Sequence, residues 1–564
     1  RGGRLGIALD GYVTTDVAGP PSRQVERLLE MVEGRGVESA LAAVVAGAFN
    51  LVVIDLDART FVVANDRLGA IPLYVAATPG GAVVSTIPSL PVSTGLASRE
   101  PDLTACAELI YLGHTIGDRY FLKSLRRLPR ASILTWVEGT GRFETRQTPL
   151  ARLPDEVAPG PVDLDAITET VRASCRRMAD VSGRTALFLS GGMDSRLLLA
   201  AWPADRDLPC YSYGPEDFAD VAIARQVAAT RGQPFTQVPL DGNLVAADID
   251  RILCFSGPPI YPNRYLAARR ILQDGFDTVL DGFMGDVLLG GSYYGKGPAT
   301  SRLARYARHV NRLVDEQSRR IGLDRIAEGL FSELLDPSAN AWLERNSDPD
   351  FARALAAERP RIFEDISTEL HRMASPDGST ALLVRNFKMV HKALNYSIFQ
   401  TVASRRFVRV GLPLMNDSPF LEATLRLPPG EVAFRKMYIR LFRRHFPAYA
   451  DAPYAASLLP LRRPPLLHHW VESLGPGRIR LTRRTRGLAL GFNEWRTWLA
   501  QSERLRERAV VLLARLGVAS EERLRATFER IGDGRESGSG DLLHLAGLAY
   551  LVRTPLRPGA DESS

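Results

Sequence analysis

The segment Leu187-Phe188-Leu189-Ser190-Gly191-Gly192-Met193-Asp194-Ser195-Arg196 holds the residue types and spacing best suited to chemistry. An apolar run, Thr185 to Leu189, stops at Ser-Gly-Gly, and a helical pattern, Ser195 to Trp202, follows at once. Glycines let the backbone come close to a phosphate. The helix start adds N–H groups without intrahelical partners and the positive end of the helix dipole. Such a turn can bind an oxyanion without a lysine, and it is not the G-x-x-x-x-G-K-[ST] loop of kinases and GTPases. Asp194 by itself would repel a phosphate, so its position implies a divalent cation between the two. The plainer reading is an ordinary strand-to-helix turn with a serine cap.

The elements around this turn alternate. The pattern predicts a helix over Val162–Val181, strands over Thr185–Leu189, Leu208–Tyr213 and Phe235–Leu240, and helices over Asp220–Arg231 and Arg264–Gln273. Another strand begins at Thr278–Leu280. Alternation at this spacing argues for a parallel sheet with helices on both faces. The first 148 residues differ. Ala48–Asp55, Thr60–Ala64, Leu73–Ala76, Ala82–Thr86 and Ser132–Val137 read as strands, with helices at Ser22–Gly34 and Leu103–Leu112. That order suggests an antiparallel α+β layer structure. Residues 149–161 contain four prolines and serve as the linker; residues 162–555 form the second domain, mainly helical beyond Arg302, and 556–564 a tail.

Composition sets the bounds. The chain has 564 residues, 45% hydrophobic and 24% charged, which excludes disordered, collagenous and disulfide-scaffold classes. Cys106, Cys175, Cys210 and Cys254 lie far apart with no C-x-x-C pair, as expected in a reducing cytoplasm. No apolar stretch is long enough to span a membrane. The chain starts at Arg1 without a signal-peptide pattern, and we expect its native beginning to lie upstream. Net charge is +7 and almost all of it is arginine, lysine occurring only at 123, 296, 388, 392 and 436. Twelve Lys and Arg residues fall between Arg435 and Arg486, either a solvated face or a docking surface for an anionic partner.

Three segments carry a resemblance. Ser190 to Ser195 is similar to the pyrophosphate-binding loop of ATP pyrophosphatases, which cleave ATP between its α and β phosphates. Val279-Leu280-Asp281-Gly282-Phe283-Met284-Gly285-Asp286-Val287-Leu288-Leu289-Gly290-Gly291 resembles the S-G-E-G-x-D-E-x-x-G-G segment of asparagine synthetases. Asn65-Asp66-Arg67-Leu68-Gly69-Ala70-Ile71-Pro72-Leu73-Tyr74 resembles the R-D-x-x-G-x-x-P-L-Y signature of their glutaminase-like domain, with Gly47-Ala48-Phe49 and Leu128-Pro129 in matching places. The resemblance implies an α+β glutaminase-like domain of the Ntn-hydrolase type, joined to an α/β adenine-nucleotide α-hydrolase domain with a helical carboxy-terminal part. It implies ATP and Mg2+ as cofactors, with Asp194 and Asp286 as the magnesium pair. It also implies that Leu189, Ser190, Gly191, Gly192, Asp194, Ser195, Tyr213 and Gly282 bind the nucleotide. Lys436 matches a basic family position and is the phosphate-clamp candidate. His391, with Lys392 and Asn395, falls near the family's second-step acid/base groups.

The departures narrow the expectation. The family's N-G-E glutamine-binding segment is Asp10-Gly11-Tyr12 here, and its S-D pair is replaced by Pro20-Pro21-Ser22-Arg23. An amide and a carboxylate that would hold glutamine are missing, so we read the first domain as having lost glutaminase activity. A retained ATP site beside a lost glutaminase is the pattern of β-lactam synthetases and lasso-peptide cyclases. β-Lactam synthetases have a tyrosine where Phe283 stands and a lysine after the position of Phe446-Pro447. Tyr449 to Arg463 contains no lysine and is closer to the I-P-x-A-x-T-G stretch of lasso cyclases. The expected reaction is adenylation of a side-chain carboxylate of a precursor peptide and closure onto its N-terminal amine. A leader-binding protein and a leader protease would be its accessory partners, with no membrane or nucleic-acid partner. The competing readings are a β-lactam synthetase or an asparagine-synthetase-like ligase of a small carboxylate. From other classes come an RNA-modifying ATP pyrophosphatase and a non-catalytic partner protein.

Overall fold

Apolar, β-branched runs that follow one another through short turns pair with their neighbours, and the first part of the chain is built this way. A computed structural model describes residues 5–78, 81–138, 143–293, 322–336, 338–473, 494–533, 535 and 539–553. Arg1, the Pro79-Gly80 turn, Lys296, the 478–486 arginines and the 556–564 tail lie outside the described residues. Strands β1 (Leu5–Thr14), β2 (Ala46–Asp55), β3 (Thr60–Asn65), β7 (Ser132–Val137) and β8 (Phe143–Gln147) form one antiparallel sheet in the order β1-β2-β3-β7-β8. A second antiparallel sheet is ordered β5 (Gly81–Ser85), β4 (Tyr74–Thr78), β6 (Arg126–Arg127). Helices Pro21–Arg35 and Leu103–Leu112 cover them. The layered α+β expectation holds; β1 and β8 are additions that the sequence pattern missed.

The second unit centres on a parallel sheet ordered β11 (Phe235–Val238), β10 (Cys210–Tyr213), β9 (Thr185–Phe188), β12 (Thr278–Leu280), β13 (Arg409–Gly411). From β9 the chain first builds outward through β10 and β11, then returns to lay β12 on β9's other side. The strand order therefore reverses between β9 and β12, and open α/β sheets bind ligands in the crevice at such a switch point. β13 was not foreseen: three residues, Arg409-Val410-Gly411, give too short a pattern, and they arrive after a long run of helices. Helices Glu494–Gln501, Glu503–Leu516 and Ser539–Arg553 pack on helix Gly242–Ser256 beside the sheet. Among the described residues, no helix is long and apolar enough to cross a membrane.

The two units share one continuous core. Gly47 N–H donates to Asn416 O (2.9 Å) and Ser418 N–H to Val45 O (2.9 Å), so the backbone after β13 is tied to β2. Residues 149–161, expected as the linker, are fastened to the second unit. Pro154 O accepts from Asn386 Nδ2 (3.0 Å), and Ala158 N–H donates to Arg426 O (2.8 Å).

Asp417 has a fully buried side chain. It caps helix Ser418–Leu425 through Phe420 N–H (3.0 Å) and accepts from Arg177 Nε (2.8 Å). Burial pushes its carboxyl pKa up, against the pull of Arg177. Removing one partner of a buried ion pair leaves an uncompensated charge. Arg177→Met is expected to cost about 3 kcal/mol, read as a lower urea midpoint, whereas Arg172→Met, half-exposed on the helix that carries Arg177, Leu164–Val181, should cost well under about 1 kcal/mol.

Candidate active site

The loop after β9 and the loop after β12 lie side by side across the switch point. Their contact is backbone to backbone. A Cβ on Gly282 would sit 2.7 Å from Asp194 C, Asp194 Cβ and Ser195 N. A Cβ on Gly285 would come 2.3 Å from the Tyr438 hydroxyl and 2.9 Å from Asp194 Cγ. Glycine is required at both positions because no side chain fits between the loops. Asp286 N–H then reaches Asp194 Oδ2 (2.9 Å), and the Tyr438 hydroxyl donates to Asp194 Oδ1 (2.8 Å).

Asp194 is partly buried, and desolvation first and the charge of Asp286 second raise its carboxyl pKa. The two hydrogen bonds pull it back only in part. Asp286 opens a π-helical turn, Asp286–Gly290, and stays partly exposed. Two carboxylates facing one crevice with lone pairs to spare suit a magnesium ion that takes its other ligands from phosphate and water. Among the described residues no group of three or more His, Cys, Asp or Glu side chains is placed to hold a metal ion.

The phosphate-loop expectation needs one correction. Ser190 N–H donates to Ser195 Oγ (3.0 Å), Gly191 N–H to Asp220 Oδ1 (2.9 Å) and Gly192 N–H to Ser190 Oγ (3.2 Å). These three amides hold the loop's own shape. The donors left for an anion are those of the first turn of helix Asp194–Ala201, which have no intrahelical acceptor. Leu189 is buried, its N–H bound to Tyr211 O (2.9 Å), and Tyr213 ends β10 with its ring edge-on to Phe188 at 6.3 Å.

Lys436 and His391 are not brought to the pair. Lys436 Nζ is 2.8 Å from Glu431 Oε1, which Arg440 shares through its other oxygen. The cation beside the carboxylates is Arg435, whose Nε lies 3.8 Å from Asp286 Oδ1. Phe434 and Arg435 both adopt left-handed backbone, φ 55° and 59°, which turns Arg435 inward one residue before helix Lys436–His445 begins. Its guanidinium lies 5.0 Å over the Tyr454 ring and donates to Glu472 (2.9 and 3.1 Å). His391 is 1% exposed and accepts from Gly117 N–H (3.1 Å) in the first unit. Burial depresses its pKa to about 3, so it stays neutral there. Asn395 beside it donates to Thr115 O (2.9 Å) and Gly117 O (3.1 Å). Both serve the contact between the two units.

Arg196, the residue after the motif, is fully buried and donates to Tyr449 O (3.2 Å), Ala452 O (3.0 Å) and Gly191 O (3.2 Å). Ala455 N–H also donates to Gly191 O (3.1 Å). The lysine-free stretch from Tyr449 is thereby pinned onto the phosphate loop, bringing Tyr454 under Arg435. The sequence offered Arg196, Arg435 and Tyr438 as neighbours of quoted motifs but gave no sign of their direction.

Residues 165–456, more than half of the chain, match the family model described as asparagine synthase. The chain belongs to that family. A second model, described as a glutamine amidotransferase domain, matches residues 22–146, so the two units are a glutamine-amidotransferase-like domain and an asparagine-synthase domain. The family member is an ATP-dependent carbon–nitrogen ligase that produces AMP and pyrophosphate. No curated protein matches the chain. Among solved structures, the NH3-dependent NAD synthetase from Campylobacter jejuni is 16% identical, spans 36% of this chain and 96% of its own, and has a TM-score of 0.18. Glutamine phosphoribosylpyrophosphate amidotransferase from B. subtilis is 10% identical over 52% of this chain, with a TM-score of 0.17; the match spans 58% of that protein.

Gly282→Ala should keep the fold, judged by circular dichroism, and lower the rate of ATP–pyrophosphate exchange by about 100-fold, because it parts the loops by a fraction of an ångström or more. Exchange within threefold of wild type would mean that the loop contact does not position the reacting groups.

Proposed function

We propose that this ligase is a lasso-peptide cyclase, which adenylates a side-chain carboxylate of a precursor peptide and joins it to the peptide's N-terminal amine. The observation that carries the reading is the fate of the former glutamine-binding strand. Asp10 pairs with Arg405 (2.6 Å), and Leu412 N–H donates to the hydroxyl of buried Tyr12 (2.9 Å). Both side chains fasten β1 to the synthetase unit, which argues for an amine already present on the substrate instead of ammonia from glutamine. The lysine-free stretch over the phosphate loop weighs against β-lactam closure.

In the proposed cycle the peptide carboxylate attacks the α-phosphorus, the Pα–O bond to pyrophosphate breaks, and an acyl-adenylate remains. The backbone around Leu189, Tyr213 and Gly282 frames the nucleotide, and the first turn of helix Asp194–Ala201 faces the departing pyrophosphate. Arg435 supplies positive charge beside Asp286, the role the sequence gave to Lys436. Magnesium bound by Asp194 and Asp286 would neutralise phosphate charge. The amine then forms the amide and AMP leaves, so one water's mass is lost from the peptide. Holding both ends of the peptide in one enclosure raises the effective concentration of the amine. The proposed cellular setting is the cytoplasm, with a leader-binding protein and a leader protease as partners.

Incubation with ATP, magnesium and the precursor peptide encoded beside the gene should give AMP together with a peptide lighter by one water in mass spectrometry. AMP formed with glutamine and a small carboxylate, with the peptide unchanged, would overturn the reading. Asp194→Asn and Asp286→Asn should each abolish AMP formation in a folded protein. Arg435→Ala should slow pyrophosphate exchange about 100-fold, as loss of a charge-stabilising donor does, while Lys436→Ala stays within about threefold.

A further inference from the structure

Tyr213, at the end of β10, also lines a cavity of about 280 Å³. Its other walls come from the start of helix Pro262–Gln273, from the π-helical segment Met389–Ser397, and from the C-terminal helices through Glu494, Trp495 and His544. Those last three residues lie beyond residue 456, where the asparagine-synthase match ends. The matched stretch of the chain therefore supplies only part of the chamber's lining.

Its chemistry is a carboxylate among aromatic rings. Tyr213, Tyr261, Tyr396 and Trp495 contribute the rings, and Glu494 is the acid. Both Glu494 oxygens accept from one donor, Asn263 Nδ2 (3.1 and 2.9 Å), and among the described residues no ion pair involves Glu494. The nearby cation is already committed. Arg264 Nη1 holds Asp281 (2.8 Å), and its guanidinium lies over the Phe188 and Tyr213 rings at 4.6 and 5.4 Å. His544 does not supply the missing charge either. Its Nδ1 accepts from Ile260 N–H (3.1 Å), its Nε2 faces the Tyr396 hydroxyl (3.2 Å), and burial lowers its pKa to about 4. Burial raises the Glu494 pKa to about 7, with the Asn263 hydrogen bond and the charge of Arg264 opposing it only in part.

A carboxylate in a small cavity lined by aromatic rings suits a compact cation, and a primary ammonium can meet both the carboxylate and the rings. We propose that this cavity is the docking site for the substrate's acceptor amine, held as a primary ammonium by Glu494 and the ring of aromatics. The inference rests on the amide-ligase activity; that the amine is a peptide N-terminus rests on the function proposed above. Specificity for the amine then comes from residues outside the part of the chain that matches the family.

The test uses the full-length protein and n-butylammonium chloride, with n-butanol as the neutral control of the same shape, followed by saturation-transfer NMR at constant ionic strength. Butylammonium should bind at least about tenfold more tightly than butanol, and Glu494→Gln should remove that preference while ATP affinity is unchanged. Trp495→Leu, a second variant, should weaken butylammonium several-fold. Equal binding of the two probes to wild type, or an undiminished preference in both variants, would overturn the proposal. So would displacement of butylammonium by ATP, which would assign the cavity to the nucleotide. Neither probe contains a carboxylate or a peptide, so a failed peptide cyclisation leaves this measurement standing, and the reverse also holds.

Discussion

The contact between Gly282 and the Asp194–Ser195 backbone is the constraint on which the rest of the site depends. It exists because the strand order turns back at β9, which sets two loops from distant parts of the sequence edge to edge. Once they touch, Asp286 N–H has one acceptor within reach, Asp194, and the two carboxylates must share a crevice. Two like charges in a partly buried crevice repel each other. The glycine contact and the Tyr438 hydroxyl hold Asp194 in place against that repulsion.

The first unit has become part of the same scaffold. Its β1 strand gives Asp10 and Tyr12 to Arg405 and Leu412, and its Gly117 turn receives His391 and Asn395. Arg405 lies just before β13 and Leu412 just after it, so the edge of the nucleotide sheet is braced from outside. A domain of the glutamine-amidotransferase type is thus fastened to the synthetase unit at both β1 and the Gly117 turn.

Much of the fold was legible in the residues, and the gaps have physical causes. The strand-to-helix turn at Ser190–Ser195 could be read from an apolar run ending in Ser-Gly-Gly, whereas Gly282 and Asp286 were found only through the family resemblance and the structure sets them beside Asp194. Helix Leu103–Leu112 and strand Ser132–Val137 appear with the expected ends, since a Gly113 stop and clean β-branched patterning mark them. Arg435 was passed over for Lys436 because two consecutive left-handed residues rotate the helix start by a step that no periodicity reveals. His391 was misplaced because a histidine in a polar stretch looks the same whether it faces a substrate or a neighbouring domain. Glu494 carried no motif at all. Its meaning comes from Asn263, Tyr213 and His544, gathered from across the chain.

Strand β13 has a further consequence. Thr278 pairs with Arg409, and a helical excursion separates the two, so this edge of the sheet closes only after a long loop has been gathered in. The β9–β10–β11 half of the sheet comes from neighbouring segments and can assemble early. During synthesis a ribosome must release Tyr438, and then the Tyr449–Ala455 segment, before Asp194 acquires its hydroxyl partner and its loop is pinned. A nascent chain interrupted after Ser195 but before that point carries the loop yet lacks the segments that hold it in place. The Asp194–Asp286 pair thus gains its full setting only late in the making of the chain.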